Sequence, residues 1–264
     1  MAMTDSLAAH ESNSTEAAND LTGARIAITG GTSGLGLALV RECLARGARV
    51  AFVARTAARV EQVAMENAGA HGIVGDVSSK EEIYPIAMQI TGELGGLDVL
   101  INNASDLGPV PLQMLSDTDC EDLERAFDTN VIGPFRLTKA LMGALAASAR
   151  EARGAVVLNI SSDAAVNPYP GWGAYGSSKA ALHQLTRIWG EEHASENVYF
   201  LSLDPGDMDT PMHSAAIPDA DLSTLKQPAD SARELVDAIA TTLTTSNKSF
   251  APATSVSRFE GAIR

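Results

Sequence analysis

The stretch Arg25-Ile26-Ala27-Ile28-Thr29-Gly30-Gly31-Thr32-Ser33-Gly34-Leu35-Gly36 decides how this chain is read. Arg25–Thr29 is a short apolar run of the kind expected for a strand buried on both faces. Glycines follow at 30, 34 and 36, and a helical pattern then runs over Gly36–Arg46. Gly30 permits a tight turn, Gly34 lets a pyrophosphate approach the backbone, and Gly36 lets the helix pack closely on the sheet. Thr32, Ser33 and Leu35 complete the loop, whose amides at the helix start would face the phosphates. A plain strand-to-helix connection is the competing reading of such a turn, and the strand before it and helix after it weigh against that. No Gly-Lys-Ser/Thr follows, so the motif is not a P-loop.

Outward from this loop, apolar runs alternate with helical stretches. Strands are expected at Arg25–Thr29, Arg49–Val53, Gly72–Val74, Val99–Asn102, Val156–Ile160 and Val198–Leu203. Helices are expected at Gly36–Arg46, Thr56–Asn67, Glu81–Leu94, Thr118–Arg150, Ala174–His193 and Ser231–Thr242. This alternation predicts an α/β, Rossmann-like doubly wound parallel sheet of six or seven strands, with helices on both faces and one domain. That domain spans residues 21–264, behind a disordered tail at 1–20. Asp207–Pro228, rich in Asp, Pro and Met, reads as a long mobile insertion covering a pocket.

Composition excludes several classes. With 45% hydrophobic and 20% charged residues, 22 Gly and 11 Pro, the chain is globular. At 264 residues it is long enough to bury roughly three quarters of its unfolded surface. The 19 Lys plus Arg against 33 Asp plus Glu give a net charge of −14, which disfavours nucleic acid and anionic membrane as partners. The pI near 4.7 agrees. No run of 18 or more apolar residues and no signal-like start is present, so the expected compartment is the cytoplasm. Cys43 and Cys120 have neither disulfide-framework nor zinc spacing and read as two buried thiols, and no metal is expected.

The second strand runs into Ala54-Arg55. An acid at such a position accepts hydrogen bonds from an adenosine ribose, whereas Arg meets a 2′-phosphate. NADP(H) is therefore favoured over NAD(H), the alternative being a solvated arginine at a strand end. After the third strand, in Gly75-Asp76-Val77, Asp76 either binds an adenine amino group or caps the next turn.

Tyr175 and Lys179 lie four residues apart in a helical stretch and so share a face. A cation beside a phenol lowers a pKa of about 10 toward a useful range for acid/base work. Taken alone, the pair reads more readily as a surface tyrosine with a snorkelling lysine. Ser162 changes that: it stands thirteen residues earlier, at the carboxyl end of the fifth strand, the edge where open α/β sheets bind ligands. Its hydroxyl can donate to a developing oxyanion.

Together these motifs resemble the classical short-chain dehydrogenase/reductase family. The likeness rests on Thr29-Gly30-x-x-x-Gly34-x-Gly36, Asn102-Asn103-Ala104, Asn130, Ser162, Tyr175-x-x-x-Lys179 and Pro205-Gly206, in the family's order across residues 21 to about 245. It implies hydride transfer between a nicotinamide and a carbonyl or alcohol carbon, with Tyr175 as general acid and Ser162 polarising the substrate oxygen. It also implies that Lys179 holds the nicotinamide ribose and lowers the phenol pKa, and that Asn130 anchors a water relay to Lys179. Asp76, Val77, Asn102, Ala104, Pro205, Gly206 and Thr210 are then expected along the cofactor. A homodimer or homotetramer is implied as well, with Leu137, Leu141, Leu182 and Leu185 serving that interface or the core.

The sequence departs from the family at three places. Ser105 replaces the usual glycine after Asn-Asn-Ala, Asp204 stands where asparagine is commoner, and no aspartate-glycine-glycine element occurs in Ser249–Arg264. The expected substrate wall is Asp163–Trp172 with Leu107, Val110 and Met208–Ile217. Trp172, Tyr169, Met208 and Met212 would form either an apolar pocket for a neutral or aromatic carbonyl compound or lid packing. His213 reads as a surface residue. The competing function is a nucleotide-sensing regulatory protein of the same fold without turnover, against which the intact Ser162, Tyr175 and Lys179 speak. With no Gly-x-Ser-x-Gly elbow, a serine hydrolase is set aside.

Overall fold

The computed structural model describes residues 21–245. The expected tail at 1–20 and the expected C-terminal departures in Ser249–Arg264 lie outside the described residues. The strands are β1 (Arg25–Thr29), β2 (Arg49–Ala54), β3 (Ala70–Val74), β4 (Val99–Asn102), β5 (Ala155–Ile160) and β6 (Val198–Leu203). The helices are α1 (Gly34–Ala45), α2 (Ala57–Glu66), α3 (Ile83–Leu94), α4 (Cys120–Phe127), α5 (Gly133–Ser148), α6 (Gly173–Glu192), α7 (Pro211–Ala216) and α8 (Pro228–Thr245). The six strands are all parallel, in the order β3-β2-β1-β4-β5-β6. This is the doubly wound order, and its switch point lies between β1 and β4.

Period-two alternation sends successive strand residues into opposite layers. Ile26 and Ile28 of β1 pack with Leu39, Val40 and Cys43 of α1 and Val236 and Ile239 of α8. Ala27 faces the other layer, where Ile86 and Ile90 of α3 meet Leu137 and Leu141 of α5. Both faces are covered over the central strands β1, β2, β4 and β5, which is why these read as nearly continuous apolar runs, whereas β3 at the edge is mostly exposed. Below the sheet, Arg25 clasps buried Asp98 just before β4, with Nη2 at 2.7 Å from Oδ1 and Nε at 3.1 Å from Oδ2. The Ser148 hydroxyl adds a short hydrogen bond to the same carboxylate.

The helix expected over Thr118–Arg150 is divided. α4 ends at Phe127, a π-helical turn occupies Asp128–Ile132, α5 begins at Gly133, and a second π turn follows at Ala149–Arg153. Pro134, in the first turn of α5, has no N–H for a continuous helical ladder. A π turn inside a helix frequently marks a functional site, and this one carries Asn130. Cys43 is fully buried, as expected, and burial pushes its thiol up to about 12. Cys120 is exposed, contrary to expectation, because it opens α4 on the side away from the core.

Segment 207–228 contains α7 and a 3₁₀ turn at Leu222–Thr224. Its ends are tied together: Met208 and Lys226 form an isolated parallel bridge, the Asp209 amide donates to the Lys226 carbonyl at 3.0 Å, and the Lys226 amide donates to the Asp207 carbonyl at 3.0 Å. Among the described residues, no helix is long and apolar enough to cross a membrane.

Candidate active site

The crevice at the switch point is built by the turns that follow β1 and β4. Gly30 has a φ of 71°, a conformation natural to glycine. Gly36 is held by close approach, since a Cβ there would collide with the Gly30 carbonyl oxygen and the Asn103 amide. Asn103 fastens the two turns: its Nδ2 donates to the Thr29 carbonyl at 2.9 Å and the Gly30 carbonyl at 3.3 Å. The amides of Asn103 and Ala104 both donate to the Thr29 hydroxyl at 3.0 Å.

Asn102 departs from its expected role. Its side chain is buried beneath the crevice, donating to Asn159 Oδ1 at 2.8 Å and Thr138 Oγ1 at 3.3 Å. Strand alternation turns it inward and leaves its neighbour Asn103 to brace the loop. Leu35 and Val77 likewise commit their side chains to the core, leaving their backbones at the crevice. Thr210 does reach the loop, because a Cβ on Gly34 would sit 3.3 Å from the Thr210 methyl. At the far side of the loop Arg55 is exposed at the end of β2. Arg59, in the first turn of α2, donates to the Thr32 carbonyl at 3.3 Å. Asp76 caps its turn, accepting from the Ser78 amide at 2.9 Å and hydroxyl at 2.7 Å.

At the carboxyl end of β5, the Ser162 hydroxyl caps a 3₁₀ turn by accepting from the Ala164 amide at 3.2 Å. Ser161 is buried, with its amide bound to the Leu203 carbonyl at 2.8 Å. α6 presents Tyr175 and Lys179 beneath the crevice, 8% and 2% exposed. Lys179 Nζ donates to the Ile160 carbonyl at 2.8 Å and lies 5.5 Å from the centroid of the Tyr175 ring.

Burial dominates both titrations. It pushes the Tyr175 phenol up to about 12, with the charges of Asp204 and Asp163 adding to the rise and hydrogen bonding to Ser162 and Ser105 opposing it. It drops the Lys179 ammonium to about 8, against the pull of Asp204. The phenol stands raised by burial, with the Lys179 ammonium over its ring face and bound to the Ile160 carbonyl. Asp204 is more than a strand-end acid. Burial raises its pKa although the Gly206 amide donates to it at 2.9 Å, and its charge reaches both Tyr175 and Lys179. Beside it, the Pro205 carbonyl accepts from the Ser231 hydroxyl at 2.9 Å.

Asn130 is 1% exposed, and its amide is fully engaged. Oδ1 accepts from the Asp106 amide at 2.7 Å and the Ser105 hydroxyl at 3.1 Å, while Nδ2 donates to the Asp106 carbonyl and the Ser178 hydroxyl, each at 2.8 Å. Two donors and two lone pairs exhaust the group. Any relay water would hang on its main chain.

Leu107, Ala164 and Tyr175 form a small apolar cluster backed by Trp172 and Met212. Trp172 meets Tyr175 edge-on, with ring centroids 5.7 Å apart. Tyr169 stands at the rim, donating to Asp163 Oδ2 at 2.6 Å, and Val110 is exposed. Met208 does not join this wall, because the bridge to Lys226 turns it onto the core under α8. His213 is half-buried with a shielded, unpartnered Nδ1, and so is not a plain surface residue. Leu137, Leu141 and Leu182 are core residues, and Phe135, Ile188 and the half-buried Trp189 occupy the outer sides of α5 and α6 instead.

Residues 24–221 match the model of the short chain dehydrogenase family. The chain belongs to that family. An uncharacterized oxidoreductase of Mycobacterium tuberculosis is 34% identical over 196 residues, 72% of this chain, and the chain spans 56% of that protein's length. A benzil reductase ((S)-benzoin forming) of Bacillus subtilis is 31% identical over 191 residues, covering 71% of this chain and 75% of the relative. The crystal structure of a 3-ketoacyl-(acyl-carrier-protein) reductase from Brucella melitensis, complexed with NADH, superposes with a TM-score of 0.77 at 25% identity, covering 86% of this chain and 93% of that one.

Proposed function

We propose that the protein is an oxidoreductase that transfers a hydride between NADP(H) and a neutral carbonyl or alcohol substrate. The observation that carries this reading is the meeting of Ser162, Tyr175 and Lys179 at the carboxyl edge of β5, beside the glycine loop after β1. When bound, the nicotinamide cofactor supplies or accepts the hydride. Residues suited to hold it are present: the loop Gly30–Gly36 with Thr210 against it for the pyrophosphate, and Lys179 with the Asn103–Ala104 turn for the nicotinamide ribose. Arg55 and Arg59 favour a 2′-phosphate, since two cations stand where an acidic residue would prefer a hydroxyl.

In this reading Tyr175 donates its phenolic proton to the substrate oxygen, and Ser162 donates a hydrogen bond to the same oxygen as charge develops there. Lys179 keeps a positive charge near the phenolate, and the saturated amide of Asn130 fixes the turn between them. Leu107, Trp172 and Met212 exclude water from the phenol. An uncharged substrate is favoured by this apolar wall and by the carboxylates of Asp163 and Asp204, whose fields reach the phenol and oppose an anion.

The test is oxidation of NADPH and NADH, in parallel, against ketones, aldehydes, quinones and β-ketoacyl thioesters. Turnover of a neutral ketone with NADPH, abolished in Tyr175→Phe with cofactor affinity retained, is the expected result. Full activity of Tyr175→Phe sinks the mechanism. Cofactor binding without turnover of any carbonyl moves the weight to the nucleotide-sensing reading.

A further inference from the structure

The 3₁₀ turn at Asp163–Ala165 brings a carboxylate against Ser162, the residue at the carboxyl end of β5. Ser162 Oγ accepts from the Ala164 amide at 3.2 Å and donates its one proton to Asp163 Oδ1 at 3.3 Å, since a carboxylate can only accept. That second contact is long for an O–H···O bond. The other carboxylate oxygen is gripped harder, taking the Tyr169 hydroxyl at 2.6 Å. Oδ2 is therefore fixed, while Oδ1 is held loosely and can exchange its donor. The turn also lies against the phenol of Tyr175. Ala164 shares an apolar cluster with Tyr175, Trp172 and Met212, and a Cβ on Gly176 would stand 2.9 Å from the Ala164 carbonyl oxygen. Asp163 itself is half-buried at this wall, neither sealed in the core nor fully in solvent.

We propose that Asp163 selects carbonyl substrates that carry a hydroxyl on the carbon next to the carbonyl. This rests on the reading above, in which Ser162 and Tyr175 hold the carbonyl oxygen. To serve that oxygen, Ser162 must turn its proton away from Asp163, which leaves Oδ1 without its donor. A plain ketone offers nothing in exchange. An α-hydroxy ketone does: its carbonyl oxygen accepts from Ser162 while its hydroxyl donates to Asp163 Oδ1. The spacing suits such a pair, because the two oxygens of a vicinal hydroxy carbonyl stand about one hydrogen-bond length apart, as Ser162 Oγ and Asp163 Oδ1 do. One neutral donor replaces another, and Asp163 neither gains nor loses a proton. Reduction, with the hydride from NADPH reaching the carbonyl carbon and the Tyr175 proton reaching its oxygen, leaves a vicinal diol and NADP+. Leu107, Trp172 and Met212 meet the apolar remainder of the molecule. A carboxylate in place of the hydroxyl would instead meet Asp163 as a like charge.

The experiment measures calorimetric dissociation constants of α-hydroxyacetophenone and α-methoxyacetophenone on the full chain saturated with NADP+ or NAD+, whichever binds tighter. The two ketones share the electron-withdrawing oxygen and differ in its proton, so their ratio isolates the donor. The parent should bind the hydroxy ketone roughly tenfold tighter, the worth of one hydrogen bond to a charged group. The NADPH-dependent kcat/KM values should show the same preference. Asp163→Leu should bring the two ketones level. Tyr169→Phe, which loses one hydroxyl at the exposed rim, should lower the ratio to roughly threefold by loosening the carboxylate. Level binding in the parent overturns the proposal, as does the parent's ratio persisting in either variant. The dissociation constants need no turnover, so a protein inactive on every carbonyl refutes the proposed reaction while recognition by Asp163 is still decided.

Discussion

The Lys179 ammonium lies over the face of the Tyr175 ring, 5.5 Å from its centroid, and its hydrogen bond goes to the Ile160 carbonyl at 2.8 Å. A cation on the ring face is attracted by the quadrupole, yet it is buried, and burial costs more than the contact returns. The folded ammonium titrates at about 8 against an ordinary 10.5. Between those values the unfolded chain binds more protons, so stability rises with pH across the window and the penalty is complete below it. Lys179→Met is expected to be inactive and more stable at pH 7 by roughly 2 kcal/mol, about 3 from the relieved charge less about 1 for the unpaired carbonyl. Denaturant melts from pH 7 to 10.5 should show that advantage shrinking. A variant less stable than the parent at pH 7 contradicts this account.

Arg55, just past β2, and Arg59, in the first turn of α2, are four positions apart, and Arg59 bonds the Thr32 carbonyl of the glycine loop. Replacing either with Ala should raise KM for NADPH roughly tenfold, the worth of a charge-assisted hydrogen bond, and leave KM for NADH nearly unchanged. Arg55→Asp should shift preference to NADH. Paired kinetics with both cofactors check this, and equal losses with both would refute the assignment.

Asp98 is 2% exposed, and Arg25 and Ser148 hold its carboxyl below the usual carboxylate range despite burial. Its contribution is present above about pH 4 and disappears as the pH falls through the lowered folded value. Asp98→Ala should cost about 2 kcal/mol at pH 7, because it removes the charged acceptor of the Arg25 and Ser148 hydrogen bonds and leaves the partly exposed guanidinium with Glu151 and the Gly95 carbonyl. The gap between parent and variant should narrow below pH 4 in urea melts; a constant gap would show that the charge is not its source.

Cys120 is exposed and Cys43 is sealed on the inner face of α1, with its thiol raised to about 12. A thiol reagent should therefore modify one cysteine rapidly in the folded protein and a second only on unfolding. Cys120→Ser should abolish the fast phase. Two fast thiols would mean that the α1 and α8 layer opens readily.

β1 and β4 are legible because sheet residues covered on both sides must be largely apolar, and both begin and end where that pattern does, while β6, half-buried at the sheet edge, is legible from its Val-Tyr-Phe-Leu run. Ser162 is legible from its place at the end of the fifth run, and Tyr175 and Lys179 from their four-residue spacing in a helical stretch. The division of the expected Thr118–Arg150 helix is hidden in the sequence, although Pro134 marks it, since the apolar spacing continues through the π turn. Asn103 and Asn102 look alike in the sequence, and only strand alternation assigns one to the loop and the other to the interior. Arg59 was signalled by its four-residue spacing from Arg55. The engagement of Ser105 with Asn130, 25 positions away, is set by tertiary geometry that no local pattern encodes.

The pairing of Met208 with Lys226 makes the intervening stretch an exchangeable cassette. Its two ends meet on the body of the protein, so the entropy of closing the loop is met by backbone hydrogen bonds outside its variable part, and added length is tolerated at small cost. Residues 217–225 can thus be rewritten, lengthened or shortened while Thr210, Met212, β6 and α8 keep their places.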